Sequence, residues 1–81
     1  MRDGSRLSFE DLREAAAEAV AASDQTQTDV AEALGVHRSS ISRALAEPGA
    51  NWQQLQRRII AHLTPYQIDR KTYFKARRVK P

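Results

Sequence analysis

Apolar residues recur with a helical period in four stretches of the chain, and residues that favour helix starts or stops bound most of them. In the first, Phe9, Leu12, Ala16, Ala19 and Val20 repeat at spacings of three and four. Ser8 precedes them as an N-cap, with Asp11 at the capping-box position and Leu7 and Leu12 placed for a hydrophobic staple. The run AAAEAVAA, residues 15–22, is strongly helix-forming, and its small side chains let a second helix come close. This helix is expected to end near Ala22. Thr26 opens a second helix, again with an Asp three residues later, Asp29, and with Val30, Ala31 and Leu34 on its inner side. Gly35 follows at once and suits the left-handed conformation that closes a helix. Only Val36 and His37 separate it from a third helix, Arg38 to Ala46, whose apolar positions are Ile41, Ala44 and Leu45 and which Pro48-Gly49 stops. Asn51 reads as the cap of a fourth helix, with Gln54 at the box position. Trp52, Leu55, Ile59, Ile60 and Leu63 form its stripe before Thr64-Pro65 ends it.

After Leu63 the helical period is gone. Tyr66 and Ile68 alternate with polar residues, and Thr72, Tyr73, Phe74 and Val79 favour strands. Residues 66–81 therefore read as a β-hairpin or an extended basic arm. A lone hairpin is marginal in water, so it must pack on the helices or on a second copy. The expected fold is mainly α: four helices in one domain over residues 1–65, with 1–6 flexible, and the hairpin or arm belonging to the same domain. A chain of 81 residues holds one small domain with a thin core.

Charge is unevenly spread. Residues 1–24 carry three Arg against six acidic residues, a net of −3, and residues 25–49 carry two Arg against three, a net of −1. Residues 50–81 carry eight Lys or Arg against Asp69, a net of +7, which brings the chain to +3. An acidic front and a basic back point to a polyanion on one side. The chain has no Cys, so disulfides, thiolate nucleophiles and Cys-based zinc sites are excluded. His37 and His62 lack any metal-ligand spacing; His37 reads as a turn residue and His62 as a half-buried helix residue. No Gly-rich phosphate loop and no Ser/His/Asp set is present, so no enzyme, cofactor or small-molecule ligand is expected. Without a membrane-span pattern or a signal-peptide pattern, the chain is expected to be soluble and cytoplasmic.

Two helices joined by a three-residue turn containing Gly make a helix-turn-helix. Val30, Leu34, Val36, Ile41 and Ala44 or Leu45 would face the supporting helices, and a side chain larger than Ala31 would push the pair apart. Outside on the second helix of the pair remain His37, Arg38, Ser39, Ser42 and Arg43, with Ser40 at the edge. All form hydrogen bonds and none is acidic, which suits a helix lying beside phosphates.

The pattern Gln27-x-x-Val30-Ala31-x-x-Leu34-Gly35-Val36-x-x-x-x-Ile41-Ser42 resembles the helix-turn-helix of the phage lambda repressor and Cro family, over roughly Leu12 to Leu63. That resemblance implies a dimeric protein on palindromic operator DNA. It places Gln27 at the start of the second helix, bonding a phosphate and bracing the recognition helix. It places Arg38, Ser39 and Arg43 at base-reading positions, and residues 48–51 in a loop that touches the DNA backbone. The chain departs from the family in its acidic, Ala-rich first helix, in His37 where Ser or Thr usually caps, in the small Ala44, and in the tail after Leu63. Arg bonds guanine O6 and N7 with both arms, and Ser bonds base or phosphate. The expected base-reading residues are therefore Arg38, Ser39, Ser42 and Arg43. The expected phosphate contacts are Gln27, His37, Ser40, Asn51 and Arg57, with further attraction from Arg58 and the basic tail. The expected function is that of a small bacterial or phage transcriptional regulator, a homodimer on double-stranded DNA. An antitoxin-like or adaptor module of the same fold, binding a protein, is the alternative, and nonspecific nucleic-acid binding through the tail is a weaker one.

Overall fold

A computed structural model describes residues 3–70 and 73–81 of the chain. The elements follow in the order β1 (Arg6–Leu7), α1 (Phe9–Ala22), α2 (Gln27–Leu34), α3 (Arg38–Ala46), α4 (Gln53–Leu63), β2 (Tyr66–Arg70) and β3 (Phe74–Arg78). Helices α1 and α4 pack on each other. Each touches the α2–α3 pair, and each touches the small antiparallel sheet, α1 through β1 and α4 through β2. The fold is mainly α, with the sheet as an added layer.

Local chemistry explains the helix starts of α1 and α2. Ser8 Oγ accepts from the Asp11 N–H at 3.1 Å, and the Asp11 carboxylate accepts from the Ser8 N–H at 3.1 Å. Thr26 and Asp29 repeat this reciprocal box at 3.1 and 2.9 Å. Each box satisfies two N–H groups that the first turn of a helix leaves without partners. The end of α3 is set by Pro48: Glu47, the residue before it, is extended at φ −120° and ψ 118°.

The fourth helix starts differently from the sequence expectation. Asn51 does not cap it and Gln54 completes no box. Helix α4 begins at Gln53, and its N-cap is Trp52, in a helical conformation with no side-chain cap bond. The Trp52 N–H donates to Gly49 O at 3.3 Å, so a turn rather than an Asn side chain leads into the helix. Asn51 is left exposed in that turn.

The hairpin forms, and a third strand joins it. The order is β1-β3-β2, with Leu7 opposite Phe74, Ile68 opposite Ala76 and Tyr66 opposite Arg78. Of residues 1–6, expected to be flexible, 1 and 2 lie outside the described residues, and 3–6 are tied to β3, Arg6 as part of β1. The Gly4 N–H donates to Ala76 O at 2.7 Å, the Ala76 N–H donates to Ser5 O at 2.9 Å, and Asp3 Oδ1 accepts from the Arg78 N–H at 2.8 Å. Thr72, read above as a strand former, lies outside the described residues.

One core joins all the layers. Leu12, Ala16, Val30, Ile41, Ala44, Ile59, Ile60 and Ala76 are fully buried, and Ala31, Ile68 and Phe74 nearly so. Each large aliphatic side chain among them contributes roughly 1.5–3 kcal/mol. Phe9 is not in this core. It is 40% exposed and packs only edge-on against Phe74, with centroids 5.4 Å apart. His62 is exposed rather than half-buried, and its Nε2 lies 3.2 Å from Gln25 Oε1. Among the described residues no helix is long and apolar enough to cross a membrane.

Gly35 stands at φ +69° and ψ 35°, and an added Cβ there would meet nothing within 4 Å. Gly35→Ala should therefore cost only the left-handed penalty, about 1–2 kcal/mol in a urea titration. A loss near 3–5 kcal/mol, the size of a packing defect, would contradict this account of the turn.

Candidate nucleic-acid interface

The site is built on the junction of α2 and α3. Two backbone bonds close α2: the Gly35 N–H donates to Glu32 O at 3.3 Å and the Val36 N–H donates to Ala31 O at 3.0 Å. This is the Schellman arrangement, which needs a left-handed residue where Gly35 stands. Ala31 is 3% exposed at this corner, and its size sets how closely the two helices meet. Val36 is half-buried against the core, so the turn is anchored as well as tight.

Helix α3 then buries one side and presents the other. Ile41 and Ala44 are fully buried. His37, Arg38, Ser39 and Arg43 are exposed, and Ser40 and Ser42 are half-buried. His37 is the N-cap at φ −72° and ψ 147°, but its ring makes no capping bond. The His37 side chain thus leaves the first N–H groups of α3 uncapped, and they carry the positive end of the helix dipole. Among the described residues the ion pairs are those of Arg13 with Glu10 and Glu14 and of Arg77 with Asp69, so Arg38 and Arg43 are not neutralised by a carboxylate.

Gln27 and Ser42 meet. Ser42 Oγ donates to Gln27 Oε1 at 2.5 Å, joining the first turn of α2 to the middle of α3. The bond ties Gln27 to α3. It engages the Ser42 hydroxyl proton and leaves the Gln27 amide nitrogen for another acceptor.

Ser40 and Asn51 also come together. They line one open groove of about 300 Å³ between the start of α3 and the start of α4, with Val36, Trp52 and Leu55 as its apolar wall. The cation in this groove is Arg58. Its Nη2 donates to Leu34 O at 2.7 Å, at the carbonyl end of α2. Arg57, named as a phosphate contact from the sequence, is turned to the sheet. Its Nε donates to Ile68 O at 3.2 Å and its Nη1 to Gln53 Oε1 at 3.1 Å, and the side chain is half-buried. Both Arg residues flank the apolar stripe of α4, one on each side. The stripe alone does not say which side faces α2 and which faces β2.

The electrostatics are polarised. A second groove, of about 380 Å³, runs along α1 beside β1 and is lined by Asp11, Glu14 and Glu18. That flank repels a polyanion. Arg13, on the side of α1 that meets α3, donates from Nε and Nη2 to Glu10 Oε1 at 2.9 and 2.6 Å. The hydrogen bond to Glu10 raises its pKa further, against the opposing effect of desolvation.

The chain matches no protein-family model, no curated protein and no solved structure.

The contact between Gln27 and Ser42 should be measurable as coupling. Gln27→Ala and Ser42→Ala, alone and together in a double-mutant cycle of urea unfolding, should show an interaction of about 0.5–1.5 kcal/mol. Additive losses would mean that the brace does not hold α3.

Proposed function

We propose that this protein binds double-stranded DNA in a sequence-specific way, as a small cytoplasmic transcriptional regulator of the lambda repressor and Cro type. The observation that carries the reading is the exposed side of α3: two unpaired Arg, one exposed Ser and an uncapped N-terminus on a helix fixed to α2 by a three-residue turn. A helix of this size fits the major groove, where Arg38 and Arg43 can each take a guanine edge and Ser39 a base or a phosphate. Ser42 reads bases only through the oxygen that its bond to Gln27 leaves open, or after giving that bond up. Gln27, His37, Ser40 and Asn51 frame α3 as phosphate contacts, and Arg58 joins them in place of Arg57. The acidic flank of α1 favours the same orientation by repelling phosphate on the other side.

A single helix-turn-helix reads only a few base pairs, so the protein acts as a homodimer on a palindromic site. Two-fold symmetry puts the half-sites about 34 Å apart, one turn of the duplex. A monomer by light scattering, both free and on DNA, would contradict the dimer.

Selection from a random duplex pool tests the reading. Enrichment of a palindrome supports it. No enrichment despite salt-sensitive binding leaves a nonspecific binder, and no binding at all favours a protein partner. On the selected duplex, Arg43→Ala should cost about 1–3 kcal/mol and relax one base position. An equal loss on every sequence would show that Arg43 touches only the backbone.

A further inference from the structure

Gln56 stands out among the polar residues. Its neighbours on the inner side of α4 are Ile59 and Ile60, and like them it is fully buried. Its Nε2 donates to Ala44 O at 2.8 Å and to Glu47 O at 3.0 Å. Its Oε1 is buried without a hydrogen-bond partner. An apolar residue of the same size would avoid the cost of that orphaned oxygen. What the amide supplies in return is two directed bonds to the end of α3.

The need for them can be traced to the backbone. Within a helix, Ala44 O would accept from the N–H of residue 48, but residue 48 is Pro and has none. Gln56 supplies the missing donor. The next carbonyl, Leu45 O, accepts from Arg13 Nη1 at 3.0 Å, and Arg13 is itself held by Glu10. Side chains from α4 and α1 thus grip the last turn of α3 at Ala44, Leu45 and Glu47, while its N-terminus has no side-chain cap.

We propose that Gln56 and Arg13 are positioning residues that fix the seating of α3 on its two supporting helices, and so determine which bases its exposed side chains reach without touching DNA themselves. The inference rests on the DNA-binding reading given above. Arg38 and Arg43 make bidentate base contacts only within tight limits of distance and angle, whereas a phosphate contact tolerates small shifts. Loosening the last turn of α3 therefore lowers discrimination between sequences more than it lowers general affinity.

The test compares the selected duplex with a scrambled one, for the intact chain and for Gln56→Met, Arg13→Met and Arg13→Lys. Circular dichroism melts fix a temperature at which every variant compared is folded. Gln56→Met should lose about tenfold of the affinity ratio between the two duplexes, while its scrambled-duplex affinity and salt slope stay those of the intact chain. Arg13→Met should lose part of the ratio, and Arg13→Lys, which keeps a donor for Leu45 O, should recover it. A folded Gln56→Met with an unchanged ratio overturns the role of Gln56. If that variant does not fold, the Arg13 pair decides: equal ratios in Met and Lys overturn the clamp. An intact chain that does not distinguish the duplexes overturns the DNA-binding reading itself, a result distinct from either of these.

Discussion

The three-residue connection at Gly35 constrains everything around it. A turn this short leaves α2 and α3 almost no freedom in crossing angle, and only a left-handed residue lets two N–H groups return to Ala31 and Glu32. Once the turn is set, Val30 and Ala31 on one side and Ile41 and Ala44 on the other must share one core with α1 and α4. The same geometry forces the polar side of α3 outward. The exposed Arg and Ser residues are therefore a consequence of how the pair is packed, and the proposed chemistry of the site follows from that packing.

Helix ends are the second constraint. The C-terminal carbonyls of α2, α3 and α4 lack intrahelical donors, and each set is met by a side chain from elsewhere: Arg58 at Leu34, Arg13 at Leu45, Gln56 at Ala44, and Lys80 at Ala61, the last at 2.6 Å. Arg and Lys also carry the charge that the negative end of a helix favours. The basic surplus of the C-terminal third is thus partly structural. Arg57 closes the outer side of β2, Arg77 pairs with Asp69, and Lys80 ties the last residues to α4. Among the described residues, Arg38 and Arg43 have no such partner.

Much of this was legible from residue order alone. Ser8 with Asp11 and Thr26 with Asp29 mark helix starts because the box needs those side chains at that spacing. Gly35 and Pro48 mark stops because few other residues can do what they do. The alternation after Thr64 leaves a hairpin and an extended arm equally open, and the pairing of β2 with β3 decides for the hairpin. The misses have equally local causes. Strand β1 is two residues long, too short to have a period. Asn51 has the chemistry of a cap, but a turn from Gly49 carries the chain past it, and no pattern in the sequence announces that. Gln56 lies three and four residues before Ile59 and Ile60, on their side of the helix. That signal was present, but its meaning depended on Pro48 removing a donor from a neighbouring helix. The opposite duties of Arg57 and Arg58 depended on where α2 and β2 lie around α4, which only the assembled fold decides.

The central claim is that α3 is the surface that meets DNA. The most direct measurement is an amide-resolved NMR titration of the chain with duplex DNA at moderate salt. The largest shifts should fall at Gln27, at residues 37–43 and around Asn51, with the outer strands and the Asp11 to Glu18 flank unmoved. Shifts confined to residues 66–81, with α3 silent, would contradict it.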